Sequence, residues 1–261
     1  MQKEDVRFTA STVFEGITSI RAILKGKENA ENDRKILRIL YDRERENAHK
    51  KEIAWLKHRA EEGGFTIDPT TAETLDKLTV GSSHGGIVAE CSERTIPSLS
   101  NGFPFKEIGF SVMIQGIEDP YNFGYALRSL YAAGVDTVIL PERNWMSAAG
   151  VVCRSSAGAS EMLPMYTADA LFAANLFKEN GYSIVCADTR TENFIHKTPL
   201  KKPLLLIVGG EKRGISRALL DLADTVVKIP YGRHFDAALS AASAATILGW
   251  EIYRQNENSD F

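Results

Sequence analysis

One stretch near the C-terminal end decides the fold of this chain, Lys202-Pro203-Leu204-Leu205-Leu206-Ile207-Val208-Gly209-Gly210-Glu211-Lys212-Arg213-Gly214-Ile215-Ser216. A short aliphatic run between proline and glycine is typical of a buried parallel strand, so a strand is predicted at 204–208. The glycines predict a loop at the carboxyl end of that strand, where open α/β sheets bind ligands. Ser216 is well placed to cap a helix at 217–223.

A second strand and glycine loop follow closely, in the run Val226-Val227-Lys228-Ile229-Pro230-Tyr231-Gly232, and a helix is predicted at 237–255. Two strand ends and two glycine loops so near each other in the chain predict one shared pocket. The alternative is that both loops are ordinary connections, because glycine turns after strands are common. Ile215-Ser216 stands where a P-loop needs Lys-Ser/Thr, and no GxGxxG opens the helix. A nucleotide triphosphatase or a dehydrogenase is therefore not indicated.

Length and composition are those of a globular protein of one large or two ordinary domains, with 261 residues, 44% hydrophobic and 25% charged. The net charge of −3 neither favours nor excludes nucleic acid as a partner. Apolar runs are too short for a membrane span, and the first residues lack the order of a signal peptide, so no membrane partner is expected. Cys91, Cys153 and Cys186 are widely spaced, which argues against zinc and disulfides and predicts a cytoplasmic protein.

Two domains are predicted, at 1–90 and 108–261, joined by a linker at 91–107 that is rich in proline, serine and glycine. The first domain is predicted to be a small α/β unit. Its residues 13–63 are predicted to be helical, with Ile36, Leu37, Leu40 and Tyr41 on one helix face, followed by a strand at 65–67 and a helix at 72–78. The basic residues of the charged helix predicted at 42–62 either meet phosphates or form a solvated face with ion pairs.

The second domain alternates strands and helices, which predicts a parallel sheet covered on both faces. Besides the elements above, strands are predicted at 110–114, 137–140, 161–165 and 182–187, and helices at 123–133, 148–157 and 168–180. Asn122 is placed to cap the helix at 123–133, and Gly124 and Arg128 share one face of it. The arginine offers a forked donor to phosphate or ribose, although a helix cap and a surface arginine would produce the same pattern.

Taken in order, these residues resemble the signature motifs of SpoU/TrmH-type RNA 2′-O-methyltransferases, which belong to the SPOUT class. The matching positions are Asn122, Gly124 and Arg128, then Ser156-Ala157-Gly158-Ala159, then Ile207-Val208-Gly209-Gly210-Glu211 with Gly214, then Ile229-Pro230. The resemblance runs from residue 108 to the C-terminus, and the ordered combination is more specific than any one motif. The first domain resembles the ribosomal-protein-like substrate-binding domain of such enzymes, with His84-Gly85-Gly86-Ile87-Val88-Ala89 matching the segment at its end.

The resemblance implies a parallel-sheet domain with a trefoil knot, S-adenosylmethionine as cofactor, no metal, and a homodimer that completes the active site. It implies methyl transfer to a ribose 2′-hydroxyl of RNA rather than DNA, with ribosomal RNA favoured over transfer RNA. The positions that would hold the cofactor are Gly209, Gly210, Ile229, Pro230 and Leu239. The positions that would carry the chemistry are Arg128, acting on the 2′-hydroxyl or its phosphate, and Asn122 and Glu211, shaping the site.

The chain departs from the family in the third motif, where Ser-Leu-Asn is usual and Ala238-Leu239-Ser240 stands here. A lost hydroxyl and a shortened amide can weaken substrate positioning, so the alternative function is a non-catalytic family member that binds RNA or cofactor. His234 or Asp236 can replace the missing polar group, or their loop is simply solvated. Trp250 and Tyr253 near the end of the last helix predict a dimer contact, although burial of that helix against its own sheet is the alternative.

Overall fold

The computed structural model describes residues 12–79, 84–141, 148–210 and 214–257. The chain divides into two compact units. The first unit holds the described residues within 1–95 and 144–162, and the second holds those within 96–143 and 163–261. The residues around 150–160 thus group with the N-terminal part of the chain, although they stand in the middle of the domain predicted at 108–261.

Ten strands and nine helices are named in the described residues. The strands are β1 Val13–Glu15, β2 Ile36–Asp42, β3 Thr66–Thr70, β4 Ile87–Cys91, β5 Phe110–Ile114, β6 Thr137–Leu140, β7 Met165–Thr167, β8 Ser183–Ala187, β9 Leu204–Val208 and β10 Thr225–Val227. The helices are α1 Gly16–Glu28, α2 Lys50–Gly63, α3 Ala72–Leu78, α4 Pro120–Ala132, α5 Ala149–Ser155, α6 Ala159–Met162, α7 Ala170–Glu179, α8 Arg217–Leu222 and α9 Ala241–Asn256.

The first unit is built on a four-stranded sheet in the order β1-β4-β2-β3, in which β4 is antiparallel to both β1 and β2 and β3 is parallel to β2. The prediction that 36–41 is helical is wrong, because these residues form β2. The register of β2 against β4 shifts between Ile36 and Arg38, so Leu37 and Arg38 are both exposed. That irregularity breaks the alternation expected of a strand and leaves an apolar spacing that resembles a helix.

Helices α5 and α6 pack in the first unit beside β1 and α1. A buried ion pair joins α6 to the segment before β2. Arg34 Nε lies 3.0 Å from Glu161 Oε2, and both side chains are almost wholly excluded from solvent. Arg34 also donates to the Ser92 carbonyl at 2.7 Å, and Asn32 donates to the Glu161 carbonyl at 2.7 Å. A Cβ at Gly26 would lie 1.9 Å from that carbonyl oxygen, so only glycine allows this approach.

The strand predicted at 161–165 is wrong except at Met165, since Glu161 and Met162 belong to α6 and β7 begins at Met165. The sequence there is apolar enough for a strand, but the carboxylate of Glu161 pairs with the guanidinium of Arg34, 127 positions earlier in the chain. Long-range pairing therefore decides the local structure.

The second unit contains a six-stranded sheet in the order β10-β8-β9-β5-β6-β7, and every pairing in it is parallel. The parallel sheet is as predicted. Met113 of β5 and Leu205 of β9 share a core cluster with Phe177 of α7 and Leu219 of α8. Alternate strand residues face the other side of the sheet, and helices α4 and α9 pack against each other, with α9 also against β9.

The residues predicted as a linker enter both units. Cys91 ends β4 in the first unit, whereas Leu99 and the rings of Phe103 and Phe105 pack in the second. The Phe105 and Phe177 ring centroids are 5.1 Å apart in an edge-to-face contact. The predicted boundaries 1–90, 91–107 and 108–261 stay a prediction about which segments fold independently.

Within the described ranges, no helix combines the length and apolar character needed to cross a bilayer.

Candidate functional site

The main cavity of the second unit lies at the carboxyl ends of three neighbouring strands, β8, β9 and β10, and has a volume of about 740 Å³. This is the edge of a parallel sheet where ligands are expected. Its lining comes from four parts of the chain, namely 187–190 at the end of β8, 208–210 with 214–215 at the end of β9, 227–229 with Tyr231 at the end of β10, and 238–241 with Ala244 and Leu248 at the start of α9. The predicted pocket between two glycine loops is therefore present.

Gly209 and Gly210, directly after β9, leave no room for a side chain. A Cβ at Gly209 would lie 2.7 Å from the carbonyl carbon of Gly214, and one at Gly210 would lie 2.7 Å from the Gln115 carbonyl oxygen. The Gly214 N–H donates to the Gly210 carbonyl at 3.0 Å, and Gly214 has a φ of +62°. The wall of the cavity here is bare backbone, which can offer its N–H and C=O groups to a ligand.

The loop between β10 and α9 closes the other side. Ile229 and Leu239 line the main cavity, and the Leu239 N–H donates to the Tyr231 hydroxyl at 3.1 Å. Pro230 lines an adjoining smaller cavity instead. Helix α9 begins at Ala241, four residues later than predicted, because Ser240 caps it: the Ser240 Oγ accepts from the Ser243 N–H at 3.2 Å.

The stretch after β8 was not predicted as part of the site. Asp188 follows β8 directly, lines the main cavity and accepts three hydrogen bonds from the backbone and guanidinium of Arg190, at 2.6–2.9 Å. The Arg190 hydrogen bonds hold the pKa of Asp188 below its ordinary value. The signal that would have found this residue is a carboxylate placed immediately after a buried strand that neighbours β9 in the sheet.

Helix α4 carries two of the predicted catalytic residues on its surface. The prediction that Asn122 caps the helix is wrong, because α4 begins at Pro120 and the Asp119 carboxylate accepts from the Asn122 N–H at 2.7 Å. Arg128 is exposed and, among the residues that the structure describes, has no hydrogen-bond or ion-pair partner. Neither residue lines the main cavity. Glu211, the third predicted catalytic residue, lies outside the described residues.

Four of the five positions predicted to hold a cofactor line the main cavity, namely Gly209, Gly210, Ile229 and Leu239. The described parts of the chain contain no group of three or more His, Cys, Asp or Glu side chains arranged to hold a metal ion. Chemically, the cavity offers backbone hydrogen-bond groups, aliphatic walls and hydroxyl groups, together with the Asp188 carboxylate and the cationic side chains of Arg190 and Lys228. Such a lining suits an uncharged heterocycle with a polar tail.

Comparison with known proteins places the chain among RNA-modifying enzymes. The model of one protein family, described as the SpoU rRNA Methylase family, matches residues 109–250. The 23S rRNA (guanosine-2′-O-)-methyltransferase RlmB of Shewanella oneidensis is 27% identical over 262 residues, covering 99% of this chain and 100% of that protein. A putative TrmH family tRNA/rRNA methyltransferase of Staphylococcus haemolyticus is 27% identical over 80% of this chain and 86% of its own length.

Solved structures show the same fold. An RNA 2′-O ribose methyltransferase superposes with a TM-score of 0.76 at 23% identity, over 93% of this chain and 88% of that one. The SpoU methyltransferase AviRb of Streptomyces viridochromogenes, in complex with its cofactor AdoMet, gives 0.71 at 20% identity, over 93% and 89%. The family match begins just before β5 and ends within α9, so it spans every stretch that lines the main cavity.

Proposed function

The chain belongs to the SpoU rRNA methylase family, and from that premise we propose that it is an S-adenosylmethionine-dependent methyltransferase acting on a ribose 2′-hydroxyl of ribosomal or transfer RNA. One observation carries the proposal: the family match spans a cavity at the sheet edge whose walls are glycine backbone and aliphatic side chains. The relatives named above modify ribosomal or transfer RNA. Ribosomal RNA is the preferred substrate in this proposal.

The residues of the main cavity fit S-adenosylmethionine. Its volume of about 740 Å³ is within the usual range of cofactor pockets, roughly 300–1,000 Å³. Backbone groups of Gly209 and Gly210 would meet the polar part of the cofactor, and Ile229 and Leu239 would flank its adenine. When bound, the cofactor supplies an electrophilic methyl group on a sulfonium. Pro230 would support the cofactor indirectly, because it shapes the loop that carries Ile229 and Tyr231.

Arg128 is the proposed catalytic residue on the RNA side. A ribose hydroxyl is a poor nucleophile, so the reaction needs a group that places its oxygen and favours loss of its proton. A guanidinium stays protonated and therefore acts as a positioned cation for the adjacent phosphate and the developing charge on the 2′-oxygen. Asn122, six residues before Arg128 on α4, and Glu211 are proposed to shape the same site.

The proposed assembly is a homodimer through the second unit. Tyr121 and Tyr125 of α4 and Ile247 and Trp250 of α9 are exposed, on two helices that pack against each other. Trp250 is 58% exposed, whereas Leu248 and Ile252 of the same helix are buried. Exposed aromatics on adjoining helices are typical of interface anchors. Dimerisation would bring Arg128 of one copy to the main cavity of the other, which explains why it does not line its own.

The finer features of the family are also part of the proposal. The close backbone contacts among Gly116, Gly209, Gly210 and Gly214 support a trefoil knot, because threaded loops need room that side chains would fill. The first unit is proposed to be the ribosomal-protein-like domain that binds RNA. A cytoplasmic location fits both the substrate and three buried, free cysteines.

Methyl transfer to RNA tests the proposal directly. Purified protein, labelled S-adenosylmethionine and bulk RNA from cells lacking the gene should yield a 2′-O-methylnucleoside after digestion. Arg128→Ala should lower the rate by a factor of about 10²–10³ and leave cofactor affinity unchanged, because the side chain is assigned to the RNA. Arg217→Ala is the matched control, since that arginine is also exposed and helical but lies on α8. Equal rates for Arg128→Ala and the parent would remove Arg128 from the mechanism.

A second candidate is a binding protein without turnover, favoured by Ala238, which lacks the hydroxyl usual at this position. Ser240 keeps part of the usual role, because serine and asparagine are equally good helix caps. The variant Ala238→Ser with Ser240→Asn separates the two functions. A large gain from an inactive parent would favour the binding protein, and an active parent excludes it.

A further inference from the structure

A second cavity adjoins the main one and has no role in the function proposed above. This side cavity has a volume of about 390 Å³ and shares part of its lining with the main cavity, namely Thr189, Lys228, Ile229, Tyr231 and Ala238. Tyr231 is the structural link, because its ring lines both cavities while its hydroxyl holds the Leu239 backbone. A molecule in the side cavity would therefore touch the same loop as a molecule in the main one.

Aromatic rings dominate the walls of the side cavity. Phe235 is 58% exposed and Tyr231 is 37% exposed, and their ring centroids lie 6.1 Å apart at an interplanar angle of 56°. Phe194 completes the wall. Exposed apolar side chains that adjoin one another, unlike single ones, mark interaction sites. A flat, unpaired heterocycle is the ligand that such walls suit best, because aromatic faces stack on it.

The side cavity is lined by charges of both signs, Asp236 and Lys228, which suits a base with hydrogen-bonding edges better than a bare phosphate. Asp236 is part of the lining, and its carboxylate would repel an anion but accept hydrogen bonds from the N–H edge of a base. Lys228 lines the cavity and pairs with Glu192 at 3.0 Å, and the Nζ atoms of Lys228 and Lys197 lie 5.0 Å and 5.7 Å from the Phe194 ring centroid. Cations so placed suit the phosphates on either side of a bound nucleotide.

We propose that the side cavity binds an unpaired nucleobase of the RNA substrate, stacked on Phe235 with Tyr231 against its edge. The inference rests on the proposed function, since it assigns part of the RNA to a site beside the cofactor cavity. It makes Phe235 and Tyr231 determinants of substrate affinity. Ala238, at the position where the family usually has serine, lines both cavities. Tyr231 and Phe235, which precede it, would then contact the substrate by stacking instead of through a serine hydroxyl.

Kinetics with a ribosomal RNA transcript test the inference in the full-length protein. Phe235→Ala should raise the KM for RNA about tenfold or more and change kcat and cofactor affinity little, because one stacking contact is lost in the bound state. Phe235→Tyr should restore the parent KM. Phe172→Ala is the matched control: Phe172 is also an exposed aromatic of the second unit, 43% exposed on α7, and lines neither cavity.

Photocrosslinking provides a readout that does not depend on turnover. A transcript containing 5-iodouridine in place of uridine should crosslink to the peptide that spans 231–238, and Phe235→Leu should abolish that crosslink. An unchanged KM in Phe235→Ala, with no crosslink in this peptide, would overturn the subsite while leaving methylation intact. If Phe235→Ala changed the dissociation constant of a dimer but not the KM for RNA, residues 231–238 would belong to a contact between two copies of the chain, and the subsite would again be overturned. A parent that neither binds nor methylates RNA would refute the proposed function itself.

Discussion

Both units of this chain have an apolar core, but only one of the two regions compared below has a charged pair within it. In the second unit the central strand β9 is a run of five aliphatic residues, none more than 2% exposed. In the first unit the interior contains Arg34, which is fully buried and meets Glu161 from the segment after β6. Many apolar side chains can fill an aliphatic core, whereas a buried guanidinium needs acceptors at fixed positions, which Glu161 and the Ser92 carbonyl provide here. The first unit is therefore specific where the second is tolerant.

The largest effect is expected from breaking the buried ion pair. Glu161→Ala should lower the free energy of unfolding by about 3–5 kcal/mol, because the Arg34 charge is left buried without its partner. Urea unfolding measures the loss, and hydrogen exchange should show it in β2 and β4. The control Glu73→Ala removes an exposed carboxylate that pairs with Lys77, and should change stability by less than about 0.5 kcal/mol.

The pair of substitutions Arg34→Met and Glu161→Leu sharpens this result. Replacing both charges by apolar groups removes the unpaired guanidinium, so much of the stability lost in Glu161→Ala should return. If the double variant were as unstable as Glu161→Ala, the cost would come from packing of α6 rather than from the buried charge.

In the second unit, Leu206→Ala should cost about 3 kcal/mol, through lost apolar burial and the cavity left behind in β9. Protection against hydrogen exchange should fall in β5 and β9. Leu206→Ile, which keeps the volume, should cost less than about 1.5 kcal/mol, in line with a tolerant core. A loss in Leu206→Ile as large as in Leu206→Ala would show that this core is no more tolerant than the ion pair.

A smaller effect is expected at Asp188, the carboxylate of the main cavity. Because the Arg190 hydrogen bonds lower its pKa in the folded state, ionised Asp188 stabilises the fold above its ordinary value near 4. That stability is lost as the pH falls through the lowered pKa. Asp188→Asn should therefore lower the free energy of unfolding at pH 7, and the difference from the parent should vanish in acid. Asp221→Asn, in an exposed pair with Arg217, is the control and should be nearly neutral.

The smallest effect is expected from the exposed ion pair of the first unit. Arg38 donates twice to Glu90 across β2 and β4, at 2.7 and 2.8 Å, but both side chains are partly solvated. A double-mutant cycle with Arg38→Ala and Glu90→Ala should give a coupling energy below about 1 kcal/mol. A coupling as large as that between Arg34 and Glu161 would mean that burial is not what separates the two pairs.

The sequence predicts the features that depend on neighbouring residues and misses those that depend on residues far away in the chain. The strand at 204–208, the loop after it and the Ser216 cap were all predicted, because each depends on neighbours in the chain. The strand β2 was missed, because its irregular register is fixed by β4, about fifty residues away. Asp188 was missed because sheet order, which no periodicity reveals, puts β8 beside β9. Arg128 was predicted from a resemblance, and its role stays a prediction.

The position of α5 and α6 in the chain has a consequence for biosynthesis. Thr95 and Met162 are 67 residues apart, and both belong to the first unit. At a translation rate of about 5–20 residues per second, the ribosome needs about 3–13 s to make the intervening chain. During that interval β5 and β6 are synthesised. Arg34 is without the Glu161 carboxylate until α6 has been made, and the apolar side chains that pack on Cys153 are not yet covered. The unit encoded first is therefore completed only after synthesis of the other has begun.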